Sequence, residues 1–263
     1  RYHSLVVKLD PSGTIVWTSH LVGGYSAEVR AVTVKGDQLL VGGSAGGAVA
    51  FGAEVVQSTQ VDTSFLFVAE LDTAFGNVIK STTWPGTGRI TGVVDKPEAR
   101  FIYGDYLLTP PDFGITVNPP IYASVQTPFL VKFDKSRPIA PAKGLVLGFA
   151  DRSHDALSML ETDDGLVVYA KVNSGTSAAT FVGGPGPTPS LGRHGSFLAK
   201  VEDDLSLSWA VANEVDTSFN YLFEVTSMVP QGGGYILGHT HGFATTTYVD
   251  GSPHAMPEVD SLL

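Results

Sequence analysis

Apolar and polar residues alternate in short runs along this chain, and the runs are separated by turn residues rather than by helix caps. In the run 205–209, Leu205, Leu207 and Trp209 fall on one side and Ser206 and Ser208 on the other, the two-residue period of a half-buried strand. No stretch sustains a helical period. Residues 156–160 could be forced into a short helix, but they hold positions that read as strand elsewhere in the chain. The first complete unit, Ser4 to Trp17, predicts a strand (SLVVKLD), a tight turn (PSG) and a second strand (TIVW).

That unit recurs. Its strand-and-acid half returns as LFVAELD (Leu66–Asp72), PFLVKFD (Pro128–Asp134) and SFLAKVE (Ser196–Glu202), with a stub at Ser261-Leu262-Leu263. Ser4, Leu66, Pro128, Ser196 and Ser261 are separated by 62, 62, 68 and 65 residues. A hairpin precedes each later copy: two apolar stretches joined by KGDQ, DKPEA, TDDG or PQGGG, the second stretch reaching a small residue at Gly42, Gly104, Ala170 and Gly238. Each linker carries one phenylalanine, Phe51, Phe113, Phe181 or Phe243, which suggests an apolar plug laid onto the sheet by a polar loop. Trp17 and Trp209 stand seven residues after Asp10 and Glu202, with Lys80 near the same place in the second unit.

The expected fold is all-β: a β-propeller of four ~62–68-residue repeats, each of about four antiparallel strands, over one region, 1–263. The repeats run approximately 4–65, 66–127, 128–195 and 196–260, and 261–263 opens a further one. Tandem two-sheet sandwiches would require repeats nearer ~100 residues. If the hairpin 30–43 opens a blade, strands 66–72 and 77–83 complete it, leaving three whole blades and half a blade at each end. Either Leu5–Asp10 pairs with Tyr235–Gly238 and closes a four-blade ring, or the chain is a segment of a larger propeller or array. The start at Arg1, without methionine or a signal-like segment, suggests a processed or excised chain.

Composition narrows the function classes. With 43% hydrophobic and 16% charged residues, the chain suits a folded protein with a large core. A formal charge of −10 and the lack of any Lys/Arg run argue against a nucleic-acid partner. Having no cysteine, the chain has no disulfide, thiolate zinc site or cysteine nucleophile. No apolar run approaches the ~20 residues of a membrane-spanning helix.

Candidate chemistry is sparse. His239 and His241 lie two apart in a predicted strand, so both imidazoles could reach one metal ion, with His254 or Asp250 as further ligands; a polar strand end explains them as well. Asp151, His154 and Asp155 crowd one loop, where Asp151 and Asp155 could contribute to a calcium site, although the spacing of a calcium loop is absent. Asp163-Asp164-Gly165 reads more simply as a hairpin turn. The linkers 106–127 and 173–195 are rich in proline, and Tyr106, Phe113 and Tyr122 in the first suggest an ordered contact surface, with edge protection as the plainer reading. There is no G-x-S-x-G elbow, and GGSAGG (42–47) lacks the GK[ST] ending of a phosphate loop.

The sequence of features resembles the secreted bacterial β-propeller repeats known as SBBP. It runs Leu40-Val41-Gly42-Gly43, then Phe51-Gly52, then Phe67-Val68-Ala69-Glu70-Leu71-Asp72, with Leu5–Asp10, Gly13 and Ile15-Val16-Trp17 as the other copy of the acid turn. The likeness weakens in later repeats, where KSRP follows Asp134 and Glu202 replaces the aspartate. The resemblance implies an exported, non-catalytic module at the cell surface or outside the cell, serving as scaffold or adhesion element. A protein or glycan partner is expected at the linkers and blade tops, self-assembly through the terminal half blades, and no cofactor. The alternative is a carbohydrate-binding or carbohydrate-cleaving propeller that uses its acidic loops.

Overall fold

Alternating apolar residues between turns can bury one face only by pairing edge to edge and then stacking, and this chain does both. The computed structural model describes residues 3–52, 54–56, 64–107, 111–114, 126–136, 141–149, 154–173, 179–182, 190–191, 194–215, 224–231, 234–240, 246–247 and 253–254. The described residues contain strands and no helix. β1 (Ser4–Leu9) and β2 (Ile15–Gly23) form a hairpin, and β3 (Ser26–Lys35) and β4 (Gln38–Gly46) a second. The next connection carries β5 (Val49–Phe51) and β6 (Glu54–Val56), before β7 (Ser64–Asp72) and β8 (Val78–Pro85). Then come β9 (Gly88–Asp95), β10 (Ala99–Leu107), β11 (Gln126–Asp134) and β12 (Pro141–Val146). β13 (Gly148–Phe149), β14 (His154–Thr162), β15 (Gly165–Val172), β16 (Ala179–Val182), β17 (Ser190–Leu191), β18 (His194–Glu202) and β19 (Leu207–Val215) follow. The remainder are β20 (Glu224–Gln231), β21 (Gly234–Thr240), β22 (Thr246–Thr247) and β23 (Pro253–His254).

Three sheets share one strand order. They are β3-β4-β7-β8, β9-β10-β11-β12 and β14-β15-β18-β19, the last extended by β22 and β23. The first joins the hairpin at 30–43 to strands at 66–72 and 77–83, as the sequence predicts. A fourth sheet, β1-β2-β5-β6, begins with half that pattern, and β20-β21 is a hairpin by itself. The expected ring closure is not found. Among the described residues β1 is bonded to β2 alone, and β20 and β21 only to each other. A hairpin forms through its own short turn, whereas closure must join strands more than 200 residues apart in sequence.

The chain divides into two compact units, residues 1–117 with 129–144 and residues 118–128 with 145–263. In the first, one core lies between β1-β2-β5 and the sheet β3-β4-β7-β8. Val6 and Leu21 meet Leu39, Val41, Phe67 and Leu71 there. A second core lies on the other side of that sheet, where Leu40, Leu66 and Val68 meet Ile90, Ile102 and Phe129. Alternate residues of β7 thus feed two cores, which is why the strand has no polar face to show. In the second unit the buried set includes Leu166, Val168, Phe197, Ala199 and Leu207.

Two local devices recur. The hairpins β3-β4, β9-β10, β14-β15 and β20-β21 each have a one-residue bulge, with Arg30, Thr91, Leu157 and Thr226 as the extra residues. Gly43, Gly104 and Ala170 lie opposite it, with His239 in the fourth, so the small residue holds its phase structurally at 43 rather than 42. At Gly43 and Gly104 a side chain would run into the carbonyls of Glu28 and Arg89. The second device is the acidic turn. The Asp10 carboxylate accepts from the N–H groups of Ser12 (2.8 Å) and Thr14 (2.9 Å), and Asp72 from those of Phe75 (2.6 Å) and Asn77 (3.0 Å). Asp134 accepts from the N–H of Ser136 at 2.8 Å. An aspartate therefore ends these strands because it caps the amides that the turn leaves over.

Candidate functional site

The acidic turns are structural. The Ser12 hydroxyl and the Thr14 amide lead the hydrogen bonds that hold the Asp10 carboxyl below the usual carboxylate range. The Asp163-Asp164 turn joins β14 to β15 as expected, with Thr162 paired to Gly165. Lys200 donates to Asp164 at 2.6 Å and, chiefly for that reason, its carboxyl is also lowered.

The proposed contact surface divides. Tyr106 and Phe113 are buried, 4% and 2% exposed, and Tyr122 lies outside the described residues. Phe113 lies edge-on to Trp84 at 5.3 Å and tilted against Phe129 at 5.1 Å, so the linker inserts it into the second core. Phe51 does the same in the first core, edge-on to Phe67 at 6.4 Å. The plug reading of these phenylalanines describes them, and the contact-surface reading of Tyr106 and Phe113 does not. Three aromatic rings already packed by other strands draw the loop inward despite its prolines.

The metal candidates lie only in part among the described residues. His239 lies on β21 opposite Val225, whereas His241 and Asp151 lie outside the described residues. Asp155 lies on β14 and accepts from Asn173 Nδ2 at 3.0 Å. His154, on the same strand, is a core histidine, edge-on to Phe197 at 6.1 Å with Nδ1 3.4 Å from the Gln126 carbonyl. Among the described residues no group of three or more His, Cys, Asp or Glu could hold a metal ion. No described helix is long and apolar enough to cross a membrane.

A cleft of about 360 Å³ opens in the first unit between β7-β8 and β9-β10-β11. Glu70, Lys80, Trp84, Asp95, Arg100 and Lys135 are among its lining residues. Asp95, almost fully buried, is its hub. Lys135 Nζ donates to it at 2.6 Å and Arg100 Nε at 2.9 Å, and Lys35 donates to its backbone carbonyl. Arg100 also lies 3.6 Å from Glu70, which accepts from Gln38 at 2.8 Å. Burial alone would raise the Asp95 carboxyl, but Lys135 and Arg100 outweigh it and hold the group below its ordinary value. Asp95 is therefore ionised at neutral pH, an acceptor that ties strand ends together and not a proton donor. This cluster was missed in the sequence because its members are far apart. The one signal was the charge density of the turn 95–100, read as a reversal.

Apolar residues are also exposed in two places: Leu5, Val7 and Leu9, on the side of β1 opposite Val6, and Val32 and Val34 of β3. Comparison with family models, with curated proteins and with solved structures yields no match.

Proposed function

We propose that this chain is a non-catalytic, exported module of β-propeller type, a structural or partner-binding part of a larger surface or extracellular protein. The observation that carries the reading is the recurrence of one four-stranded order in three sheets. A stack of this kind supplies rigid surface rather than a reaction centre, and the SBBP-like residues Leu40–Gly43, Phe51-Gly52 and Phe67–Asp72 support the same address. Protease treatment of intact source cells should release peptides of this chain, and a glycosidase and esterase panel should give no turnover. Turnover abolished by Glu70→Gln would overturn the reading.

The mixed-charge cleft favours one second reading, a carbohydrate-binding module. Trp84 offers an apolar wall beside Glu70, Asp95 and Lys80, the combination of ring and polar groups that sugars require. Binding on a glycan array that is lost in Trp84→Ala while the fold survives would favour it.

A further inference from the structure

The cleft between β7-β8 and β9-β10-β11 is lined by residues of the first unit alone, and its two ends differ in kind. Four of its strands each bring one apolar and one charged residue. They are Val68 and Glu70 on β7, Trp84 and Lys80 on β8, Ile102 and Arg100 on β10, and Phe133 and Lys135 at the end of β11. The members of each pair are two or four positions apart, which at the period of a strand sets both on one side. Glu70 stands opposite Lys80 in register and 3.6 Å from Arg100, and Arg100 and Lys135 share Asp95, so the charged members gather. The rings of Trp84 and Phe133 meet at 5.3 Å, so apolar members gather too.

Much of the charge is satisfied within the protein. Asp95 is held by Lys135 and Arg100, and Asp134 accepts from the amide and the hydroxyl of Ser136, both at 2.8 Å. Three groups keep capacity. Among the described residues the Lys80 ammonium makes no hydrogen bond or ion pair. Arg100 commits Nε to Asp95, while its Nη2 lies beyond hydrogen-bond length from Glu70, so the outer edge of its fork is open. Glu70 accepts from Gln38 through Oε1, which leaves Oε2 able to accept from a further donor.

These groups describe what would complete them. Two cations to one carboxylate select an acid, even on a chain whose net charge is −10. The guanidinium edge matches a planar carboxylate in two parallel bonds. Beside that acid Glu70 requires a hydroxyl, which a simple aromatic acid does not carry. Thr82 and Trp84 continue the line of Lys80 along β8, and Trp84 lies about 13 Å along the strand from Lys80, farther than one sugar ring reaches.

We propose that this cleft binds a carboxylated sugar of uronic-acid type within a glycan chain. Lys80 and Arg100 take its carboxylate, Glu70 accepts from a neighbouring hydroxyl, and the next ring lies toward Trp84 and Phe133. The inference rests on the carbohydrate-binding reading and names the ligand class.

Calorimetric titration of the full chain with a galacturonate oligomer, and with the same oligomer methyl-esterified, tests it. Esterification keeps the rings and hydroxyls and removes the charge. The acid should bind at least about tenfold more tightly than the ester, as hydrogen bonds to a charged group require. Lys80 is exposed on an edge strand, so Lys80→Gln should keep the β-sheet circular dichroism and bring the acid down toward the affinity of the ester. Arg100→Lys, which keeps the charge and removes the fork, should weaken the acid as well. Equal affinity for acid and ester, or a folded Lys80→Gln chain that binds the acid unchanged, would overturn the inference and leave the carbohydrate reading standing. Benzoate that displaces the oligomer at equal concentration would show that no hydroxyl is read, and would overturn it too. A chain that binds neither oligomer and no member of a glycan array loses both readings.

Discussion

Three residues end the acidic turns in the left-handed region: Gly13 at φ 84°, Gly76 at 71° and Leu205 at 69°. Gly13, Gly76 and Leu205 each return an N–H to the carbonyl of the acid that opens the turn. Leucine in this conformation costs about 1–2 kcal/mol, but Leu205 is 8% exposed and its burial contributes about 1.5–3 kcal/mol. Burial wins, so the third turn keeps a leucine where the others have glycine. The two glycines separate backbone strain from packing. An added Cβ at Gly13 meets nothing within 4 Å, whereas at Gly76 it would lie 2.5–2.8 Å from ring atoms of Trp17. Trp17 is held there by its Nε1 donating to the Thr73 carbonyl at 3.0 Å. Gly13→Ala should therefore cost about 1–2 kcal/mol, and Gly76→Ala about 3 kcal/mol or more as the indole is displaced. Urea denaturation of both variants checks this; equal losses would show that Trp17 does not pack on the second turn.

At the scale of strands and hairpins, most of what is local was legible in the chain. The two-residue period, the Gly/Asp/Pro turns and the acid before each turn act over a few residues, and β3-β4, β9-β10, β14-β15 and β20-β21 form where those signals place them. The bulge opposite Gly43 was not legible, because it depends on which carbonyl of the partner strand approaches. Tyr106 and Phe113 were misplaced for the same reason: a proline-rich loop looks exposed until Trp84, Phe129 and Phe133 arrive from other strands. Asp95 is the clearest case, since its three cationic partners come from positions 35, 100 and 135. It ties the β9-β10 turn to the ends of β3 and β11. A carboxyl held below its unfolded value contributes stability that is complete above that value and is lost as pH falls through the lower, folded one. Asp95→Asn should then cost about 1–3 kcal/mol at pH 7, with Arg100 and Lys135 still able to reach water. As pH falls through the unfolded value of about 4 toward the lower, folded one, the difference from the parent chain should shrink as Asp95 loses its charge. Urea midpoints at pH 7 and pH 3 measure it; a gap that stays constant would mean that the charge of Asp95 contributes nothing.

Over the whole molecule, the net charge and the ion pairs respond to salt in opposite directions. At −10 the folded chain repels itself, and that repulsion reaches about 10 Å at 0.1 M salt and about 30 Å at 0.01 M. Salt therefore relieves the compact state of a destabilising field. It also weakens exposed pairs such as Arg30–Glu28 at 2.8 Å, but pairs of that kind contribute little. The pairs on Asp95 are partly buried and are screened less. Relief of repulsion should win, so the urea midpoint should rise as salt goes from about 0.01 M to about 0.15 M and then level off as the Debye length shortens. Urea denaturation across that range at pH 7 measures the effect; a midpoint that falls with salt would show that the ion pairs outweigh the net charge.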